Sequence, residues 1–250
     1  MNDIVSSNDR LFNNQLSGAT LTVVLITDEY QLYTANVGDS QCLLISYDLK
    51  KKEEVKLQKE MGEDCDIPVY GMQHLTVDHK PCNPKELKRI MRAGGEVKHS
   101  KKQRLATQRS QSTERKKKMA RMRVWLQGKD YPGLAISRSI GDTMAHTVGV
   151  TAEPDISVTR LDVSRCQYAM IMASDGLWNI MNHHQMRLIV KHCFQYKQQR
   201  NASIGIHLCE SAQNASLQIC EQASTLWNEK IKLTESKAID DITTTVLIIK

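Results

Sequence analysis

The order of hydrophobic periods along the chain is what most constrains its fold. β-rich runs come first, at 21–26 (LTVVLI), 31–37 (QLYTANV) and 43–46 (LLIS), and read as an antiparallel meander. A helix with its own start and stop signals follows: Asn83 as N-cap, Pro84 at the first position, Leu87, Ile90 and Met91 on one face, and Gly94 as stop. Strand-like runs return at 155–160 and 166–173. Two amphipathic helices come next. Met186, Ile189, Val190, Cys193 and Phe194 recur at helical spacing in the first; Ile204, Leu208, Ala212, Ala215, Ile219, Ala223 and Leu226 line the second, over about 204–228. The chain closes on TTTVLIIK, a β-branched strand. This order excludes an alternating βαβ protein and predicts an α+β fold with largely antiparallel sheet.

At 250 residues the length suits one domain, or at most two small ones. A hydrophobic fraction of 40% is too high for wholesale disorder. The seven cysteines (42, 65, 82, 166, 193, 209, 220) are scattered, odd in number and without a Cys-x-x-Cys pair. Such spacing gives neither a disulfide framework nor a zinc site, and fits reduced thiols in an intracellular protein. The first ten residues hold no apolar stretch of a signal peptide, and no apolar run approaches the roughly 18 residues of a membrane span. A soluble protein of the cytoplasm or nucleus, with no membrane partner, is the expectation.

The formal charge of +6 is unevenly placed. Residues 98–123 hold eleven Lys and Arg against the single acid Glu114, a net +10, so the remainder of the chain carries −4. This basic, low-complexity segment has no interleaved aromatic ring and therefore no stacking platform for single strands. A solvated, disordered insertion is the plain reading, a nuclear-import or acidic-partner patch around Arg115–Lys118 the sharper one. Nucleic acid is not the expected partner.

Several aspartates stand beside glycines or turn residues at strand ends: Gly38-Asp39-Ser40, Gly141-Asp142, Ser174-Asp175-Gly176 and Asp240-Asp241. Carboxylates converging from strand ends make a hard oxygen site for Mg²⁺ or Mn²⁺. Each taken alone is equally a turn former or helix cap.

Six sequence blocks carry more. The string SGATLTVVLITDEYQLYTANVGDS (17–40) resembles the small-residue strand and Gly-Asp-Ser hairpin of type 2C metal-dependent protein Ser/Thr phosphatases, the PPM family. LTVDHKP (75–81) with AGGEV (93–97) is similar to that family's next block. RVWLQGKDYPGLAISRSIGD (123–142) and VGVTAEPDI (148–156) resemble the following two, and ASDGLWNIM (173–181) and the terminal DDITTTVLII the last two. The blocks occur in the family's order over 17–249.

The resemblance implies an antiparallel β-sandwich flanked by helices on both faces. It implies two Mg²⁺ or Mn²⁺ ions that activate a water for in-line attack on a phosphoserine or phosphothreonine monoester, with phosphoproteins as substrates. No organic cofactor is implied, and a monomer is expected. Asp175 and Asp240 fall on the family's two C-terminal metal-ligand aspartates, and Asp78 on an aspartate linked to a third, weaker metal. Asp39 and Asp142 fall on positions read as structural; His79 and His146 take no catalytic role. No catalytic or organic-cofactor residue is assigned.

The departures are as informative. The family's Asp-Gly-His-Gly stretch, which supplies the aspartate bridging both metals, has no counterpart in Met1–Leu16, nor have its Glu-Asp pair and phosphate-binding Arg. Residues 1–250 are therefore expected to form a single, N-terminally incomplete domain lacking the first strands and first helix, with little turnover of its own. Such a sandwich is expected to expose edges and apolar surface. Asn179 replaces a usual Asp, and Asp241 a usual Asn beside Asp240. The second reading is a pseudophosphatase serving as a binding or regulatory module.

Overall fold

The structure, a computed structural model, describes residues 13–50, 69–99, 122–195, 204–234 and 240–249. Its strands are β1 (Gly18–Ala19), β2 (Leu21–Ile26), β3 (Gln31–Val37), β4 (Gln41–Asp48), β5 (Val69–His74), β6 (Gly95–Lys98), β7 (Arg123–Leu126), β8 (Pro132–Leu134), β9 (Ile140–Gly141), β10 (Asp155–Arg160), β11 (Cys166–Ala173) and β12 (Thr244–Ile249). The helices are α1 (Pro84–Arg92), α2 (Thr143–His146), α3 (Asp175–Trp178), α4 (His183–Gln195) and α5 (Ile204–Thr234). Residues group into two compact units, 1–23 with 35–40 and 77–156, and 24–34 with 41–76 and 157–250. Strands β10, β3 and β2, in that order, form one sheet.

In the first unit α1 follows its sequence signals in part. Pro84 opens it and Gly94, at φ +82°, ends it where a side chain would be strained. Asn83 occupies the N-cap position but does not cap; its amide donates instead to the Asp78 carbonyl at 2.6 Å, tying the helix start to the VDHKP loop. Ile90 of α1 packs with Val124, Ala145, Val148 and Val150 into a small core. The sheet order is β6-β7-β8. Lys98 pairs with Arg123 in the antiparallel ladder of β6 and β7. The ends of the basic segment are thus strand residues rather than loop, and its middle, 100–121, lies outside the described residues.

The second unit contains a four-stranded antiparallel sheet, β12-β11-β4-β5. The expected meander is corrected here: β2 and β3 are neighbours in one sheet, while β4 lies between β11 and β5 in another. The reason is in its side chains. Cys42, Leu43, Leu44 and Ile45 are consecutive and all buried, so the strand is covered on both faces and cannot serve as the third strand of a half-exposed meander. On one face Leu43, Ile45, Tyr47, Ala169 and Ile171 pack against Met186 and Val190 of α4 and Ala215, Ile219 and Ala223 of α5. On the other, Cys42, Leu44, Tyr168 and Met170 meet Leu32, Val24 and Ile26. Two sheets face each other across this second cluster, the arrangement of a sandwich. Alternation turns Leu25, Tyr33 and Val158 away from it, and all three are exposed. Helix α5 continues to Thr234, six residues beyond the expected end. Among the described residues no helix is long and apolar enough to cross a membrane.

Candidate metal-binding carboxylate site

Strand β11 delivers Asp175. Its apolar run ends at Ala173, and the chain turns into α3 with Ser174 at the N-cap position and Asp175 in the first turn. Ser174 does not cap the helix. Its hydroxyl donates to the Asp241 carbonyl at 2.9 Å and accepts from the Thr243 N–H at 3.1 Å, while its own N–H donates to the Thr243 carbonyl at 3.0 Å. Three hydrogen bonds therefore sew the Ser-Asp-Gly turn to the Asp240–Thr243 segment that leads into β12. Gly176 completes the approach: a Cβ there would lie 2.3 Å from the Asp241 carbonyl oxygen and 3.4 Å from the carbonyl carbon of Asp240. Only glycine admits a backbone this close.

Asp175 is half-buried and Asp240 exposed. Asn179, one turn along, donates from Nδ2 to Oδ2 of Asp175 at 3.3 Å. An Asp at 179 would set a second negative charge there; the Asn gives a neutral donor. From behind, the Trp227 indole on α5 donates to the Gly176 carbonyl at 2.7 Å, and the Trp178 indole to the Ala173 carbonyl at 2.8 Å. Sequence patterns point to both carboxylates but not to Trp227, which reads as one more apolar position on a helix.

Asp78 belongs to the first unit, where it is half-buried between the exposed Val77 and the buried His79. His79 is 2% exposed and anchors that loop. The Gly38 N–H donates to its Nδ1 at 3.0 Å, so Nε2 carries the proton and donates to Asp155 at 3.1 Å. Asp155 in turn accepts from Arg138, which with Arg89 and Ser137 holds the buried Glu86. Burial alone would raise the Glu86 carboxyl; the hydrogen bonds from Arg138, Arg89 and Ser137 overcome it and hold the group down to about 2. This network was not expected from the sequence, although its signal is legible: Glu86 stands four residues before Ile90, on the buried face of α1.

Asp39, buried, pairs with Lys80. Asp142 adopts φ +48° and packs against Gly18, and burial pushes its carboxyl upward. The His146 imidazole donates from Nε2 to the Ser139 carbonyl at 3.1 Å, and burial lowers its pKa. These contacts are structural in kind.

As donors, Asp175 and Asp240 have the oxygen chemistry of a hard divalent cation, and their segments touch through the backbone. Two carboxylates do not complete such a site. Among the described residues no group of three or more His, Cys, Asp or Glu is gathered that could hold a metal ion. The residues present therefore fit part of a cation site, not the whole of one.

The protein phosphatase 2C family model matches residues 2–225. The chain is 29% identical over 243 residues to probable protein phosphatase 2C 72 of Arabidopsis thaliana, covering 97% of this chain and 57% of that protein. It is 31% identical over 171 residues to probable protein phosphatase 2C 12 of Oryza sativa subsp. japonica, covering 68% and 35% respectively. Among solved structures, a serine-threonine phosphatase 2C from Toxoplasma gondii is similar in fold, with TM-score 0.64 at 20% identity, over 100% of this chain and 64% of that one. A C. elegans sex determining protein is similar at TM-score 0.59 and 16% identity, over 100% of this chain and 44% of that one. The chain spans between about a third and three fifths of the length of these curated relatives. With a family model matched over most of its length, and antiparallel sheets and helices like those of the solved Toxoplasma gondii phosphatase, the chain belongs to the protein phosphatase 2C family.

Proposed function

We propose that this chain carries the C-terminal part of the machinery of a protein Ser/Thr phosphatase that hydrolyses phosphoserine and phosphothreonine monoesters. The observation that supports this reading most is the seam between the Ser174-Asp175-Gly176 turn and Asp240–Thr243, which sets two aspartates on touching backbone. In this reading Asp175 and Asp240 hold an Mg²⁺ or Mn²⁺ ion, and Asp78 serves a third, weaker one. Bound ions of this type supply charge neutralisation at phosphate and a water acidified enough to attack phosphorus. The protein's own residues orient and hold. Ser174 and Trp227 fix the turn that presents Asp175, and Asn179 steadies its Oδ2.

The 250 residues contain no Asp-Gly-His-Gly stretch, and the described residues gather no three-donor group. In the same reading, the chain by itself turns over phosphopeptides at close to background rate. The pseudophosphatase reading rests on these same two observations. A complementation assay separates the two. Phosphate release from a phosphothreonine peptide is measured with Mn²⁺ for chain 1–250 alone and for 1–250 fused behind an Asp-Gly-His-Gly-containing segment of a relative. The phosphatase reading expects EDTA-sensitive turnover in the fusion that Asp175→Asn abolishes. A folded fusion without turnover supports the binding-module reading instead.

A further inference from the structure

We propose that His74 and His183 form a binding site for a borderline transition-metal cation of the Zn²⁺, Ni²⁺ or Cu²⁺ type, separate from the aspartate site. His74 is the last residue of β5 and His183 the first of α4. Their ring centroids are 4.6 Å apart and the planes are tilted by 58°. Imidazole nitrogens bind Zn²⁺ at about 2.0–2.1 Å, which puts two rings sharing one ion about 5 Å apart between centroids. The observed separation of 4.6 Å is close to that value. Tilted rings, unlike stacked ones, can aim nitrogen edges at a common point.

Three further observations agree. His74 is exposed and His183 half-buried, so an ion has an open approach and water can fill its remaining positions. Partial desolvation of its ring and the neighbouring His183 both lower the His74 pKa, which favours the neutral imidazole that ligation requires. Trp178 lies beside both rings, at 6.5 Å from His74 and 6.3 Å from His183 between centroids, and closes one side of the cluster.

The donor set decides the class of ion. Imidazole suits Zn²⁺, Cu²⁺ and Ni²⁺, whereas carboxylate oxygens suit Mg²⁺ and Mn²⁺. No group of three His, Cys, Asp or Glu donors is gathered among the described residues, so the site offers two protein ligands and holds an exchangeable ion rather than a structural one. Its placement gives it a consequence. Trp178 ends the short helix that Asp175 begins. An ion shared by His74 and His183 fastens β5 to α4 around that helix, and so stiffens the surroundings of Asp175.

The test uses tag-free chain 1–250, freed of metal with EDTA and titrated with NiCl₂ by calorimetry and by tryptophan fluorescence. Wild type is expected to lose one equivalent of Ni²⁺ binding on either His74→Gln or His183→Gln, and to keep it on His184→Gln, one residue further along the helix. Ni²⁺ is expected to quench part of the emission of wild type, and this quenching is expected to be absent in Trp178→Phe and in both histidine variants. Millimolar Mg²⁺ leaves the equivalent in place. Circular dichroism melts confirm that each variant is folded, which exposure of His74 favours. Any pattern other than joint dependence on His74 and His183 overturns the proposal. So does quenching that survives Trp178→Phe.

Discussion

The indole N–H of Trp227 donates to the Gly176 carbonyl over 2.7 Å, in a buried position. It joins the C-terminal part of the long helix α5 to the residue that follows Asp175. Trp227→Phe keeps most of the ring but strands that carbonyl without its donor. Leaving a buried acceptor unsatisfied costs about 1–3 kcal/mol, readable as a lower urea midpoint at unchanged slope. Lys230→Ala removes the cation–π contact on the same ring, 4.1 Å to the centroid, a contact worth about 0.5–1 kcal/mol. A loss in Trp227→Phe no larger than that in Lys230→Ala would place the Trp227 contribution in its contact with Lys230 and not in the hydrogen bond.

Gly176→Ala drives a Cβ into the Asp241 carbonyl. The seam must then part, and a loss of about 1–3 kcal/mol is expected from the overpacking. Mn²⁺ affinity is expected to fall with it, because Asp175 and Asp240 no longer share a fixed spacing. A variant with wild-type stability and wild-type Mn²⁺ binding would mean that the close approach is dispensable.

Much of this was legible in the sequence, and the failures have physical causes. Strands β2, β3, β10, β11 and β12 follow from β-rich and strand-like runs, and α1 from Pro84 and Gly94. The run LLIS (43–46) in β4 also announces a strand, but an apolar run does not say which sheet will bury both its faces. Asp175 and Asp240 stand out by motif. The supporting roles of Ser174 and Trp227 do not, because a hydrogen bond to a distant carbonyl leaves no mark on local spacing. Glu86 reads as a first-turn helix acid; only its buried neighbours reveal the network it anchors.

That network sets an acid limit. The Glu86 carboxyl lies at about 2 when folded, against its ordinary 4.5. A depressed value contributes stability that is present above about pH 4.5 and lost as pH falls toward 2. The full difference is about 3 kcal/mol. Stability measured by urea titration between pH 5 and pH 2.5 is expected to slope downward in wild type and more shallowly in Glu86→Gln. Parallel slopes would remove Glu86 from the account.

Asp142 carries the opposite sign. Burial raises its carboxyl, so its contribution is most favourable when protonated and is lost as pH rises. Asn tolerates the left-handed backbone at φ +48° and carries no charge. Asp142→Asn is therefore expected to melt higher than wild type at pH 7, with the advantage shrinking in acid. A lower melting temperature at pH 7 would assign the carboxylate a stabilising partner.

In the proposed function Asp175 and Asp240 act together on a hard divalent cation. Mn²⁺ binding to chain 1–250, followed by the loss of free-ion electron paramagnetic resonance signal, tests it most directly. Asp175→Asn and Asp240→Asn are each expected to weaken binding by about tenfold or more, since affinity follows the charge count of the ligands. Asn179→Asp, which adds a carboxylate next to Asp175, is expected to strengthen it. The histidine variants are expected to leave it unchanged. Mn²⁺ binding that survives both aspartate substitutions at wild-type affinity would contradict the claim.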